Sequence, residues 1–329
     1  MDQRRKAIYI SFVVGVLLFA AKVIAYLLTD SNAIFSDAAE SVVNIFATGM
    51  AVYSIILSLK PADKNHLYGH GNVEYFSAGL EGTMIVIAAL VIFYNSILRI
   101  INGGELQQLG WGTLIIAFAG AVNLLTGLYL IRKGKETDSL TLIADGKHIL
   151  ADSFTSVGIV LGLLIVMWTG LEIIDPIIAI IVAVNILVTG YFLIRQSVSG
   201  LMLETDDKLL EEISNILIEN RENFWIDIHE LRFWKSANSV FIDFHLILPY
   251  YFTIKESHRT EEMIRDAIKE KIPSSQIKIH IDFCTNDLCK YCKFEECNVR
   301  KSSFSEDVKW DPLKLIGKPP FRGFHDDDN

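Results

Sequence analysis

The chain has 329 residues, 51% of them hydrophobic, and a mean hydropathy of +0.35. That is too apolar for an ordinary soluble protein of this length, and the long apolar runs gather before residue 200, so a membrane part followed by a soluble part is expected. A net charge of −9 argues against a nucleic-acid partner, which would need a basic stripe for phosphates.

The opening "MDQRRKAIYISFVV" leads into a full-length apolar span with no small-residue cleavage site, which predicts a retained helix rather than a cleaved signal. Six segments reach the roughly 20 helical residues that a hydrocarbon core requires. They lie near Ala7–Leu28, Ala33–Leu59, Val73–Ile101, Trp111–Ile131, Leu140–Trp168 and Ile173–Arg195. Arg4, Arg5 and Lys6 precede the first, Lys60 and Lys64 follow the second, and Arg132, Lys133 and Lys135 follow the fourth, whereas the alternate loops carry no Lys or Arg. By the positive-inside rule both termini and the soluble part face the cytoplasm, and the chain is expected in a bacterial inner membrane. The prediction for residues 1–203 is an all-α six-helix transmembrane bundle.

Two of the six spans are polar along one face. "SDAAESVVN" puts Asp37, Glu40 and Asn44 at i, i+3 and i+7, and "ADGKHILAD" repeats that spacing with Asp145, His148 and Asp152. Ionisable groups in a bilayer cost several kcal/mol unless they pair, meet water or bind an ion. If the two faces meet, Glu40, Asn44, His148 and Asp152 offer three oxygens and one imidazole, a set suited to a four-coordinate divalent transition metal. The plainer alternative is interhelical hydrogen bonding that only holds the bundle together. Acids facing another acid and a histidine repel without a cation, which favours the metal. Asp37 and Asp145 lie one turn nearer one membrane face and are candidates for an access path.

From residue 204 charges interleave with short apolar stretches. The pattern predicts a helix over 206–220, strands over 226–234 and 239–248, a helix over 254–272 and a strand over 276–283. "VFIDFHLIL" and "IKIHIDF" carry the alternation and β-branched content of strands. This is an αββαβ, α/β unit over 204–286, followed by a tail over 287–329. All four cysteines, Cys284, Cys289, Cys292 and Cys297, fall in a C-x4-C-x2-C-x4-C run. In a reducing cytoplasm a disulfide is disfavoured, and four thiols at this spacing can close a tetrahedral zinc site. An iron–sulfur cluster and plain free thiols are the alternatives. The terminal stretch, with Pro312, Pro319 and Pro320, has no period and is expected to be irregular, docked by Trp310, Phe321 and Phe324, with an acidic end.

The two ladders, together with the loop "KPADKNHLYGHGNVE", resemble the cation diffusion facilitator family of divalent-metal/proton antiporters over residues 7–285. The resemblance implies a tetrahedral transport site at Glu40, Asn44, His148 and Asp152. Zinc-carrying members usually have Asp or His first and Asp second on span two, so Glu40 and Asn44 leave this chain one anion short. The resemblance also implies a second metal site in the loop at Asp63, His66 and His70. It implies a metallochaperone-like cytoplasmic domain that forms a homodimer and binds regulatory metal at His229, His245, His258, His280 and Asp282. Where the family commonly has lysine after "GHG", this chain has Asn72.

These features describe a secondary transporter rather than an enzyme, because no nucleophile–base pair or phosphate loop is present. The expected cargo is a divalent transition metal, zinc or iron ahead of manganese, cobalt or cadmium, exchanged for protons, with zinc as the expected structural ion. The rival function is a membrane metal sensor that binds ions without moving them.

Overall fold

The structure, a computed structural model, describes residues 2–29, 32–102, 111–169, 173–237 and 239–319. It divides into two compact units, Met1–Met202 and Leu203–Asn329.

The first unit holds the long helices α1 (Gln3–Thr29), α2 (Asn32–Ser58), α3 (Val73–Asn102), α4 (Trp111–Glu136), α5 (Leu140–Thr169) and α6 (Ile174–Leu201). Their sequences are rich in Ala, Leu, Ile and Val. The breakers sit at the margins: Pro61 follows the end of α2, and Pro176 lies in the first turn of α6, where its missing N–H has no intrahelical partner to lose. Among the described residues, Gln3–Ile24, Val73–Leu98 and Ala179–Leu201 are long and apolar enough to cross a membrane by length and composition. α4 and α6 each run past the apolar segment read from the sequence, into Glu136 and Leu201. Helical hydrogen bonding continues where hydropathy stops.

Small residues bring helices close. A Cβ on Gly127 of α4 would stand 2.8 Å from the carbonyl oxygen of Gly146 on α5, and one on Gly146 would stand 2.9 Å from that of Gly127. The two backbones therefore touch, as expected where helices gain nothing from hydrophobic exclusion and associate by contact. At one end of the unit the Glu74 carboxylate gathers several segments. It accepts from Arg4 Nη1 at 2.9 Å, Ser58 Oγ at 2.9 Å and Ser139 Oγ at 2.5 Å. Both members of the Arg4–Glu74 ion pair are buried, and the two hydroxyls satisfy the remaining lone pairs, which such a pair needs to offset its desolvation.

In the second unit the element order is α7 (Asp207–Glu219), β1 (Asp227–Ser236), β2 (Ser239–Leu248), α8 (Ile254–Lys271) and β3 (Ser275–Phe283). Asp206 caps α7 by accepting from the amides of Lys208 and Leu209. Thr253 and Glu256 form a capping box at the start of α8. The sheet order is β1-β2-β3, with β1 antiparallel and β3 parallel to β2. Alternation decides its faces. Ile242, Phe244, Leu246 and Leu248 of β2, with Ile277, Ile279 and Ile281 of β3, pack against Leu210, Ile213 and Leu217 of α7 and Ile264 and Ile268 of α8. The intervening residues, His245 and Asp282 among them, take the opposite face.

The tail departs from the irregular course expected. Residues Pro312–Ile316 form a short helix, α9, capped by Asp311 and with Pro312 in its first turn. One and a half turns are too short to leave a period in sequence. Trp310 and Leu315 are buried in the main core of the unit, and the amide of Glu230 donates to Gly317 O at 2.9 Å. Phe321, Phe324 and the acidic end lie outside the described residues.

Candidate metal centres

The expectation that the polar faces of α2 and α5 meet can be followed residue by residue. Asn44 lies between the two ladder residues of α5: its amide nitrogen donates to Asp152 Oδ2 at 2.5 Å, and its Oδ1 lies 3.1 Å from His148 Nε2. A carboxylate only accepts and an amide oxygen only accepts, so this arrangement fixes the amide's orientation and makes Nε2 the protonated ring nitrogen. His148 is buried. The helical backbone of α2 runs through Asp37 and Glu40, whose side chains lie outside the described residues. Asp145, one turn before His148 on α5, is buried and accepts from Ser11 Oγ of α1 and Thr48 Oγ1 of α2, each at 2.9 Å.

Beside Asn44 and Asp152 is a cavity of about 40 Å³, reached also by Lys22 of α1, Ser41 and Thr48 of α2, and Asn123 of α4. By that volume it has room for a water or a small cation. Lys22 is buried and donates to Ser41 Oγ at 2.9 Å. The sequence reading passed over this lysine, although its signal was plain: it is a basic residue inside an otherwise apolar run. Ser11, Thr48 and Glu74 were missed for a different reason, since hydroxyls and a single acid near a span end leave no pattern.

The loop after α2 builds its own cluster. Asp63 Oδ1 accepts from the amides of Asn65 and His66 at 2.9 and 2.8 Å, a local turn that closes the chain on itself. Those two amides hold the Asp63 carboxyl below its ordinary value of 3.8. His66 Nδ1 and His70 Nε2 each stand 3.3 Å from this carboxylate, with ring centroids 4.4 Å apart. Gly69, at φ +86°, supplies the left-handed residue that lets the chain turn back between them. The ligand atoms of Asp63, His66 and His70 lie within 4.8 Å of one another, and the buried Nδ1 of His70 has no hydrogen-bond partner. This donor set fits a divalent ion.

A third cluster comes from strand register. His229 pairs with His245 across β1–β2, and His245 with His280 across β2–β3, which sets three imidazoles in one row on one face. Ring centroids are 5.1 and 4.5 Å apart along that row. Asp282, two residues beyond His280 and hence on the same face, reaches His245 Nδ1 at 2.9 Å, His229 Nε2 at 3.6 Å and His280 Nε2 at 3.4 Å. Ligand atoms of His229, His245 and Asp282 converge within 4.8 Å. Behind them, Asp227 Oδ2 stands 3.2 Å from His229 Nδ1 without hydrogen-bond alignment, while its other oxygen pairs with Lys314 of α9. A carboxylate behind a ligating imidazole is the arrangement that orients metal-binding histidines. His258 is not brought to this group. It lies on α8, exposed, 3.7 and 3.5 Å from Glu261 and Glu262 of its own helix.

A profile of the cation efflux transmembrane domain matches residues 8–202, and one of the cation efflux protein cytoplasmic domain matches 205–284. An uncharacterised transporter of Synechocystis sp. (strain ATCC 27184 / PCC 6803 / Kazusa) is 36% identical over 78% of this chain and 83% of its own length. The manganese efflux system protein MneP of Bacillus subtilis (strain 168) is 30% identical, over 84% of this chain and 95% of its own. A cadmium, cobalt and zinc/H(+)-K(+) antiporter of the same organism is 27% identical, over 81% and 86%. Two profiles that together run almost without interruption from the first long helix to the end of β3, with metal-type side-chain clusters in both units, give one conclusion: this chain belongs to the cation diffusion facilitator family.

Proposed function

We propose that the protein exports a divalent transition metal from the cytoplasm in exchange for protons, through a homodimer whose protomers each cross the inner membrane six times with both ends inside. The observation that carries this reading is Asn44 bridging His148 and Asp152 between two helices. Glu40, one turn before Asn44 on α2, completes the proposed four-residue transport site.

The hydrogen bonds describe how exchange can work. Without metal, the Nε2 proton of His148 is given to Asn44 Oδ1, and Asp152 is held by the Asn44 amide. An arriving cation needs the Nε2 lone pair and the Asp152 oxygen. It therefore displaces both hydrogen bonds, and a His148 imidazolium releases its Nε2 proton while Nδ1 keeps its own, so metal entry and proton departure are one event. Returning protons reverse it. Lys22, buried at the same cavity, adds positive charge close to the site, which weakens a bound cation and favours release. One imidazole, an amide and carboxylate oxygens accept Mn(II) or Fe(II) as well as Zn(II). The proposed cargo is thus a divalent transition metal, zinc or iron ahead of manganese, cobalt or cadmium, with the loop cluster and the histidine row holding resident ions on the cytoplasmic side.

Full-length protein in sealed vesicles tests this, with uptake of Zn, Fe, Mn, Co and Cd followed under an imposed pH gradient. Metal flux that rises with the gradient is the expected result. Flux that ignores the gradient overturns the exchange, and binding without flux for every ion favours a metal sensor.

A further inference from the structure

Beyond β3, between Cys284 and Asp311, the described chain has a single regular element, the five-residue 3-10 helix Asn286–Lys290. Its path is nonetheless defined. Arg300 Nη2 donates to the carbonyls of Cys292 and Phe294 at 2.9 and 2.7 Å, and the amides of Ser305 and Glu306 both donate to Lys290 O. Loops of this length without secondary structure are uncommon in compact domains and need something to order them. The four cysteines all fall in its first half. Cys284 is within electrostatic reach of Cys292, Cys289 and Cys297, and Cys292 of Cys297 and Cys289. Tyr251 hydrogen-bonds Cys297 and lies near Cys284 and Cys292. Cys284 and Cys292 also share a small apolar cluster with Ile226, Ile247 and Leu288, separate from the main core.

We propose that Cys284, Cys289, Cys292 and Cys297 form a tetrathiolate zinc site that fastens the chain beyond β3 to the second face of the sheet. This site is independent of the transport reading and lies, apart from Cys284, beyond the stretch matched by the cytoplasmic-domain profile. C-x2-C flanked by two further thiols can supply the four soft ligands of a closed tetrahedral site. No three sulfurs converge within 4.8 Å as the histidine groups do; a zinc ion would draw them inward as it displaces the thiol protons to solvent. The Arg300 guanidinium, within reach of Cys292, offsets part of the negative charge this leaves. Cys284 follows Asp282 by two residues, just past the last residue of β3, so the knuckle also anchors the strand end that carries Asp282.

The test uses full-length protein in detergent. Metal content, thiol accessibility with and without a strong non-thiol chelator, and the absorption of the cobalt-substituted protein are measured for the wild type and for the double variant C289S/C292S. The expected result is thiols protected until the chelator is added, an intense sulfur-to-cobalt charge-transfer band, and one zinc per chain lost in the variant. Should the variant fold poorly, wild-type protection and the cobalt band decide alone. Thiols that react at the same rate with and without chelator, or a cobalt spectrum lacking the band, overturn the proposal. Iron with acid-labile sulfide overturns it in favour of a cluster.

Discussion

Asn44 is the residue on which the proposed transport site turns. It gives one hydrogen bond and accepts another where a second carboxylate would give charge. Asn44→Asp adds a unit of negative charge beside the cation, worth on the order of 1 kcal/mol or more at a partly solvated site. Zinc binding is expected to tighten by roughly tenfold and metal release to slow, read by titration and by vesicle flux; unchanged affinity would remove Asn44 from the ligand set. In the loop, Asp63 is held ionised by two backbone amides, so its folded-state pKa lies below 3.8. A depressed carboxyl contributes above its unfolded value and loses that contribution as pH falls through the folded one. The Asp63 turn is therefore expected to stay formed through neutral and mildly acidic pH and to open only below 3.8. Amide exchange at Asn65 and His66 against pH checks this.

At the scale of elements, the close approach of α4 and α5 at Gly127 and Gly146 lies two residues before His148 on α5. Gly127→Val introduces atoms where even a Cβ comes 2.8 Å from a backbone carbonyl, and overpacking of this kind costs about 1–3 kcal/mol. A lower melting temperature together with weakened metal binding is expected; loss of stability alone would mean that the contact holds the helices without setting the site. The same comparison shows what was readable beforehand. The two polar ladders were visible because i, i+3, i+7 spacing is a property of one helix, and the strands of the second unit were visible because alternation is a property of one strand. Lys22 beside Asn44, the Glu74 knot and the Asp227–Lys314 pair behind His229 join residues far apart in sequence, and no local period encodes them. The row His229, His245 and His280 was legible as three strand histidines, while their alignment came from register, which sequence leaves open.

At the scale of the whole molecule, each of the two units carries its own buried core, so damage to one site leaves the other unit folded. His148→Ala is expected to abolish metal flux, with a loss of transport-site affinity exceeding the roughly 10–100-fold typical of outer-shell changes. Metal retained by His229, His245 and Asp282 should be unchanged. Loss of both would mean the variant is misfolded rather than inactive. One detail of β1 bears on how this chain tolerates changes in length. The pairing with β2 slips by a residue between His229 and Arg232, where Glu230 takes φ +52°. The bulge absorbs this extra residue, so that Asp227 and His229 lie on the histidine face and Phe233 on the core face. Deleting Glu230 would leave Leu231 alone opposite Phe244, so the pairs on either side, His229 with His245 and Arg232 with Asp243, would keep both register and face. The strand can thus lose a residue at this one point without turning over, and both deletion of Glu230 and Glu230→Gly are expected to leave the second unit folded, as thermal melts of the two variants would record; a melt lost on deletion would show that the bulge itself is needed.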